Sequence, residues 1–123
     1  RLGHGVRAVE DPRVVDRLLA DGVGLEVCPG SNVALGVYRA AEEVPLRALV
    51  SAGIPVALGA DDPLLFGSRL VAQYELARDA LGFTDAELAD LARGSFRASR
   101  APSDLVEVAL ADIDTWLATP PPA

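Results

Sequence analysis

The sequence predicts an α/β protein organised around a parallel sheet, and three observations carry that prediction. Short apolar runs at Val23–Cys28 and Pro55–Gly59 have the length and character of strands buried on both faces. Segments with apolar residues at helical spacing alternate with them, the pattern of right-handed βαβ units. Turn and cap signals separate the two kinds of segment, from Asp11-Pro12 to Thr84-Asp85-Ala86-Glu87.

The elements follow in order. Arg1-Leu2-Gly3-His4-Gly5 reads as the end of a first strand, with Gly5 allowing a turn. Asp11 is a helix cap and Pro12 a first helical residue. Val14, Val15, Leu18 and Leu19 make an apolar stripe over 12–21, closed by Gly22. The second strand, 23–28, ends at Pro29-Gly30-Ser31-Asn32, which reads as a long loop running to about Glu43. Pro45 opens a short helix with Leu46, Leu49 and Val50 inward and Gly53 after it. The third strand, 55–59, runs into Asp61-Asp62-Pro63 and an apolar turn through Gly67. Leu70, Val71, Tyr74, Leu76, Ala77 and Leu81 form the next stripe, ended by Gly82. Thr84 and Glu87 form a capping box for a helix to about Ala98. A last helix starts near Pro102-Ser103 and carries Leu105, Val108, Ile113, Trp116 and Leu117. The terminal prolines read as a frayed tail over 119–123.

Composition narrows the function. The 123 residues carry 11 Arg and no Lys against 18 acids, a net charge of −7. That balance disfavours a nucleic-acid surface, which needs a basic face. No apolar run approaches the roughly 18 residues of a membrane span. One cysteine, Cys28, cannot form an internal disulfide and suits the cytoplasm. The absence of Met and the start at Arg1 suggest a piece of a longer chain.

In a parallel sheet all carboxyl ends lie on one rim, and functional groups gather there. Here that rim collects His4, Pro29-Gly30-Ser31-Asn32 and Asp61-Asp62. His with Asp suits a metal or proton-transfer site. Structure alone also accounts for the acids, with Asp61 starting an Asx-turn and Asp62 capping the next helix. A lone His is likewise more often a surface or packing residue. A catalytic zinc needs about three protein ligands and an open position, more than one His and these acids provide. The cytidine-type deaminase pattern is absent, since Cys28 has no partner Cys.

Arg1-Leu2-Gly3-His4-Gly5, Glu26-Val27-Cys28-Pro29-Gly30-Ser31-Asn32 and Asp61-Asp62-Pro63-Leu64-Leu65-Phe66 resemble, in order and spacing, the C-terminal third of adenosine deaminases. Gln73-Tyr74-Glu75 and Gly82-Phe83-Thr84 fit the helices that follow. The resemblance covers nearly the whole chain.

It implies that residues 1–123 are the C-terminal part of a (β/α)8 TIM barrel of the metal-dependent hydrolase type, with about three parallel strands and C-terminal helices. It further implies hydrolytic deamination of adenosine or a related 6-aminopurine nucleoside by a zinc-activated water. Asp61 maps onto a zinc ligand, His4 onto the catalytic His that orients and deprotonates that water, and Asp62 onto the residue that holds the purine N7. The other zinc ligands and the acid Glu belong to strands upstream of Arg1. Two departures stand out: Val44-Pro45 where relatives often have His-Pro, and Ala60 where they often have Thr or Ser. The second removes a hydroxyl beside Asp61. Glu26 and Cys28 are taken as structural.

The implied partners are a small purine nucleoside, with no nucleic acid or membrane, and either the rest of the barrel or a homo-oligomer to cover the sheet. Deaminases of adenine or aminodeoxyfutalosine are alternatives within the family. A non-catalytic βα module that binds a nucleotide or a protein is the alternative outside it.

Overall fold

A computed structural model describes residues 1–119. Beyond Thr119, the tail expected over 119–123 lies outside the described residues. Two strands, β1 (Leu25–Val27) and β2 (Val56–Leu58), pair in parallel with Leu25 opposite Val56 and Val27 opposite Leu58. Leu2 joins them through a single parallel bridge to Leu25. The expected third strand is thus one residue of ladder. Leu2 donates its N–H to Gly24 and accepts from Glu26, at 2.9 and 2.8 Å. The left-handed His4 and the 3₁₀ turn at Gly5–Glu10 then carry the chain out of the sheet.

Helix α1 (Pro12–Ala20) starts as its sequence dictates, with the Asp11 carboxylate accepting from the Arg13 N–H. The segment read as a loop after β1 instead begins with helix α2 (Pro29–Ala34). Gly, Ser and Asn are weak helix formers, but tertiary burial overrides them: Pro29, Ser31 and Asn32 are all inside. Helix α3 (Leu46–Ser51) buries Leu46 and Leu49 completely. Full burial of such a side chain contributes about 1.5–3 kcal/mol. The expected apolar turn after the two acids is a single helical turn, α4 (Pro63–Phe66).

Helix α5 (Leu70–Asp79) keeps Tyr74 and Ala77 of its predicted stripe on the core but departs from it in its first turn. Leu70 and Val71 are 49% and 69% exposed, while Gln73 and Ala77 are fully buried. The helix turns a small residue and an amide inward because Gln73 has hydrogen-bond partners there. Helix α6 (Asp85–Arg97) carries the predicted capping box, with Thr84 and Glu87 serving each other's backbone. It packs along β2 so closely that a Cβ on Gly94 would sit 2.8 Å from the Val56 carbonyl oxygen. Helix α7 (Ser103–Ala118) packs on α6, tied by Arg93, which donates to Asp90 and Asp114. Leu105, Val108 and Trp116 on this helix are each more than half exposed.

The core joins β1 and β2 to the helices through Leu25, Val27, Val56, Leu58, Phe83 and Leu88. The strands are not apolar on both faces, as their sequence suggests. Leu25 and Val27 are buried, and Glu26 between them lies on the other, half-open face beside Ala57.

Candidate functional site

Because the strands run parallel, the residues leaving them share one edge of the sheet. His4 follows Leu2, Cys28 follows β1 and Asp61 lies just past β2. Among the described residues, His4 and Asp61 are the two non-glycine residues with left-handed backbone, at φ 56° and 58°. A side chain in that region costs about 1–2 kcal/mol. Such strain persists only where the surroundings impose it, and it gathers at functional sites. Both residues line one cleft of about 370 Å³, together with Arg1, Glu26, Cys28 and Ser95.

Asp61 is held from a distance. Ser31, 1% exposed on α2, donates its hydroxyl to Asp61 Oδ2 at 2.7 Å. The other carboxylate oxygen, Oδ1, has no hydrogen-bond partner among the described residues. Glu26 pairs with Arg1, which also donates to the Ala98 carbonyl at 2.7 Å. Cys28 is buried, and burial first, then the nearby Asp61 carboxylate, pushes its thiol above the usual range. A thiol kept protonated in this way is a poor nucleophile or metal ligand.

The structure brings His4 and Asp61 to the same cleft and gives Asp62 a different position. Asp62 Oδ1 caps α4, accepting from Leu64 and Leu65 N–H at 3.1 and 3.0 Å. The structural reading of Asp62 as a helix cap therefore holds. That of Asp61 as an Asx-turn does not, because its carboxylate accepts from the Ser31 hydroxyl instead of from a nearby backbone N–H. Sequence reasoning gave Ser31 no role. It identified a hydroxyl missing at Ala60, and the structure supplies one from a residue thirty positions away. The only available signal was a hydroxyl residue at another strand end on the same rim.

Among the described residues, no three His, Cys, Asp or Glu side chains gather tightly enough to hold a metal ion. Asp61 fits a single ligand position, with one oxygen oriented by Ser31 and the other free.

Residues 1–116 match the adenosine deaminase family. The chain belongs to that family. A Streptomyces coelicolor protein, provisionally named an adenosine/adenine deaminase, is 65% identical over 117 residues, covering 95% of this chain and 34% of its own length. An adenine deaminase of Rhizobium leguminosarum is 50% identical over 99 residues, covering 80% of this chain and 31% of its own. The crystal structure of an adenine deaminase from Arthrobacter aurescens superposes with a TM-score of 0.93 at 36% identity, covering 97% of this chain and 36% of that one. The chain thus spans about a third of the length of the adenosine deaminase relatives it matches.

Proposed function

We propose that the full-length protein hydrolyses the exocyclic amine of a 6-aminopurine, and that this chain builds the part of the rim carrying His4, Asp61 and Asp62. The observation that carries the reading is the pair of strained residues, His4 and Asp61, facing one cleft at the carboxyl ends of parallel strands. In this reading β1, β2 and the Leu2 bridge are part of the wall of a (β/α)8 barrel. The rest of the polypeptide, rather than a second copy, completes it.

Asp61 would hold one position of a zinc ion through Oδ1, with Ser31 fixing its orientation. Zinc bound there supplies the Lewis acidity that makes water a competent nucleophile near neutral pH. His4, on the same cleft, would serve as the general base that accepts a proton from the attacking water and would return one to the departing amine. Asp62 keeps Oδ2 free to hold the five-membered edge of the purine while Oδ1 caps α4. Water and a 6-aminopurine give the 6-oxopurine and ammonia. Between free base and nucleoside, the names of the Rhizobium and Arthrobacter relatives favour adenine over adenosine.

The test is ammonia release by the full-length protein from adenine and from adenosine. His4→Ala is expected to lower the rate about 10²–10⁴-fold, the usual contribution of a general acid–base group. Asp61→Asn is expected to abolish zinc-dependent turnover. No ammonia from any 6-aminopurine sinks the reading.

A further inference from the structure

We propose that Gln73 is the positioning residue of this rim, a buried amide that sets Asp61 through Ser31. Gln73 is fully buried on α5, a helix that leaves the apolar Leu70 and Val71 exposed. Its Oε1 accepts from the Gly30 N–H at 2.8 Å, and its Nε2 donates to Ser68 Oγ at 2.7 Å.

Those two bonds reach two different pieces of the site. Gly30 lies in the first turn of α2, where Pro29 has no N–H and Cys28 provides no side-chain cap. The Gly30 N–H is one of the donors a helix start leaves without an internal partner. Gln73 satisfies it from another helix. Ser31, the next residue, donates to Asp61. Ser68 lies in the link that follows α4, the turn capped by Asp62. One amide therefore anchors both segments that hold the acids. Gly30 also makes the fit possible, since a Cβ there would come within 2.9 Å of Gln73 Nε2.

A buried amide needs its partners, and removing it leaves them unsatisfied. Loss of Gln73 is expected to let α2 shift, and with it the Ser31 hydroxyl that orients Asp61. Groups that orient a metal ligand typically change metal affinity or activity 10–100-fold. This inference rests on reading Asp61 as a metal ligand.

The experiment uses the full-length protein with Gln73→Met, which fills the volume without hydrogen bonds, Gln73→Glu, which keeps an acceptor for Gly30, and Ser31→Ala. Zinc affinity is measured by competition with a chromophoric chelator. Hydrogen exchange of the 28–36 and 58–62 peptides is measured on the metal-free protein. Gln73→Met is expected to weaken zinc binding 10–100-fold, lower kcat with KM nearly unchanged, and speed exchange in both peptides. Gln73→Glu should restore most of the affinity. In the double variant Gln73→Met with Ser31→Ala, the loss should be no larger than for Ser31→Ala alone, because both act through one contact.

Unchanged zinc affinity in Gln73→Met, or effects that add to those of Ser31→Ala, overturns the proposal. So does unchanged exchange in the two peptides, a readout that needs no metal. A wild-type protein without zinc binding overturns the functional reading instead, and the exchange data still judge the link between Gln73 and the rim.

Discussion

Replacing His4 separates functional strain from ordinary packing. His4 is solvent-exposed, caps no helix with its side chain, and sits at φ 56°. Both His4→Ala and His4→Gly remove the imidazole, so its contacts with any other part of the polypeptide cancel between them. What remains is the backbone. Ala keeps a Cβ in the left-handed region, at about 1–2 kcal/mol. Gly adopts that region freely but loses about 0.5–1 kcal/mol more in backbone freedom on folding. The balance favours Gly by about 0–1.5 kcal/mol, with a midpoint of about 0.75 kcal/mol.

The usual order is the reverse. At Glu75, exposed in the middle of α5, Ala is expected to exceed Gly by about 0.8–1 kcal/mol. The assay is urea unfolding of the four variants of the full-length protein, comparing midpoints at unchanged slope. Gly above Ala at position 4 and Ala above Gly at position 75 is the expected result. Ala equal to or above Gly at position 4 would refute the claim that the site holds His4 under strain. Neither position-4 variant is expected to retain normal turnover, so any stability gained comes at the expense of activity.

Two further outcomes follow from the packing of α6. Gly94→Ala forces a Cβ against the Val56 carbonyl, a backbone atom that cannot swing aside. Thermal or urea unfolding should show a loss of about 1–3 kcal/mol. The Glu87 carboxylate is held at about 2, first by the Arg47 guanidinium and then by Thr84. Its folded pKa is depressed, so its contribution is fully present above the ordinary value of 4.5 and is lost as pH falls towards 2. A wild-type melting temperature that falls over that window, and falls less in Glu87→Gln, is the expected outcome. Identical pH slopes in the two proteins would contradict it.

Much of the fold was legible because its signals are local. Asp11-Pro12, the Thr84 to Glu87 capping box, and the glycines following α1, α3 and α5 act within one turn of chain, and each sits where its sequence placed it. The parallel pairing of 23–28 with 55–59 followed from the alternation of apolar runs and helical stripes. His4 and Asp61 could be named because strand ends in a parallel sheet share a rim, and because their motifs resemble a family to which the chain belongs.

Contacts distant in sequence decided the rest. Pro29-Gly30-Ser31-Asn32 reads as a loop by propensity but is helical, since burial and the Gln73 amide outweigh propensity costs of up to about 1 kcal/mol per residue. The stripe predicted on α5 held at Tyr74, Ala77 and Leu81 but failed at Leu70 and Val71, because periodicity records which residues are apolar, not which of them meet a partner. The hydroxyl that orients Asp61 comes from Ser31 and the amide that holds α2 from Gln73, across 30 and 43 residues. No local pattern encodes such a meeting. The sequence determined which groups could do chemistry and which edge they share, and only the tertiary structure decided which of them touch, because hydrogen bonds at 2.7–2.8 Å depend on how whole helices are seated.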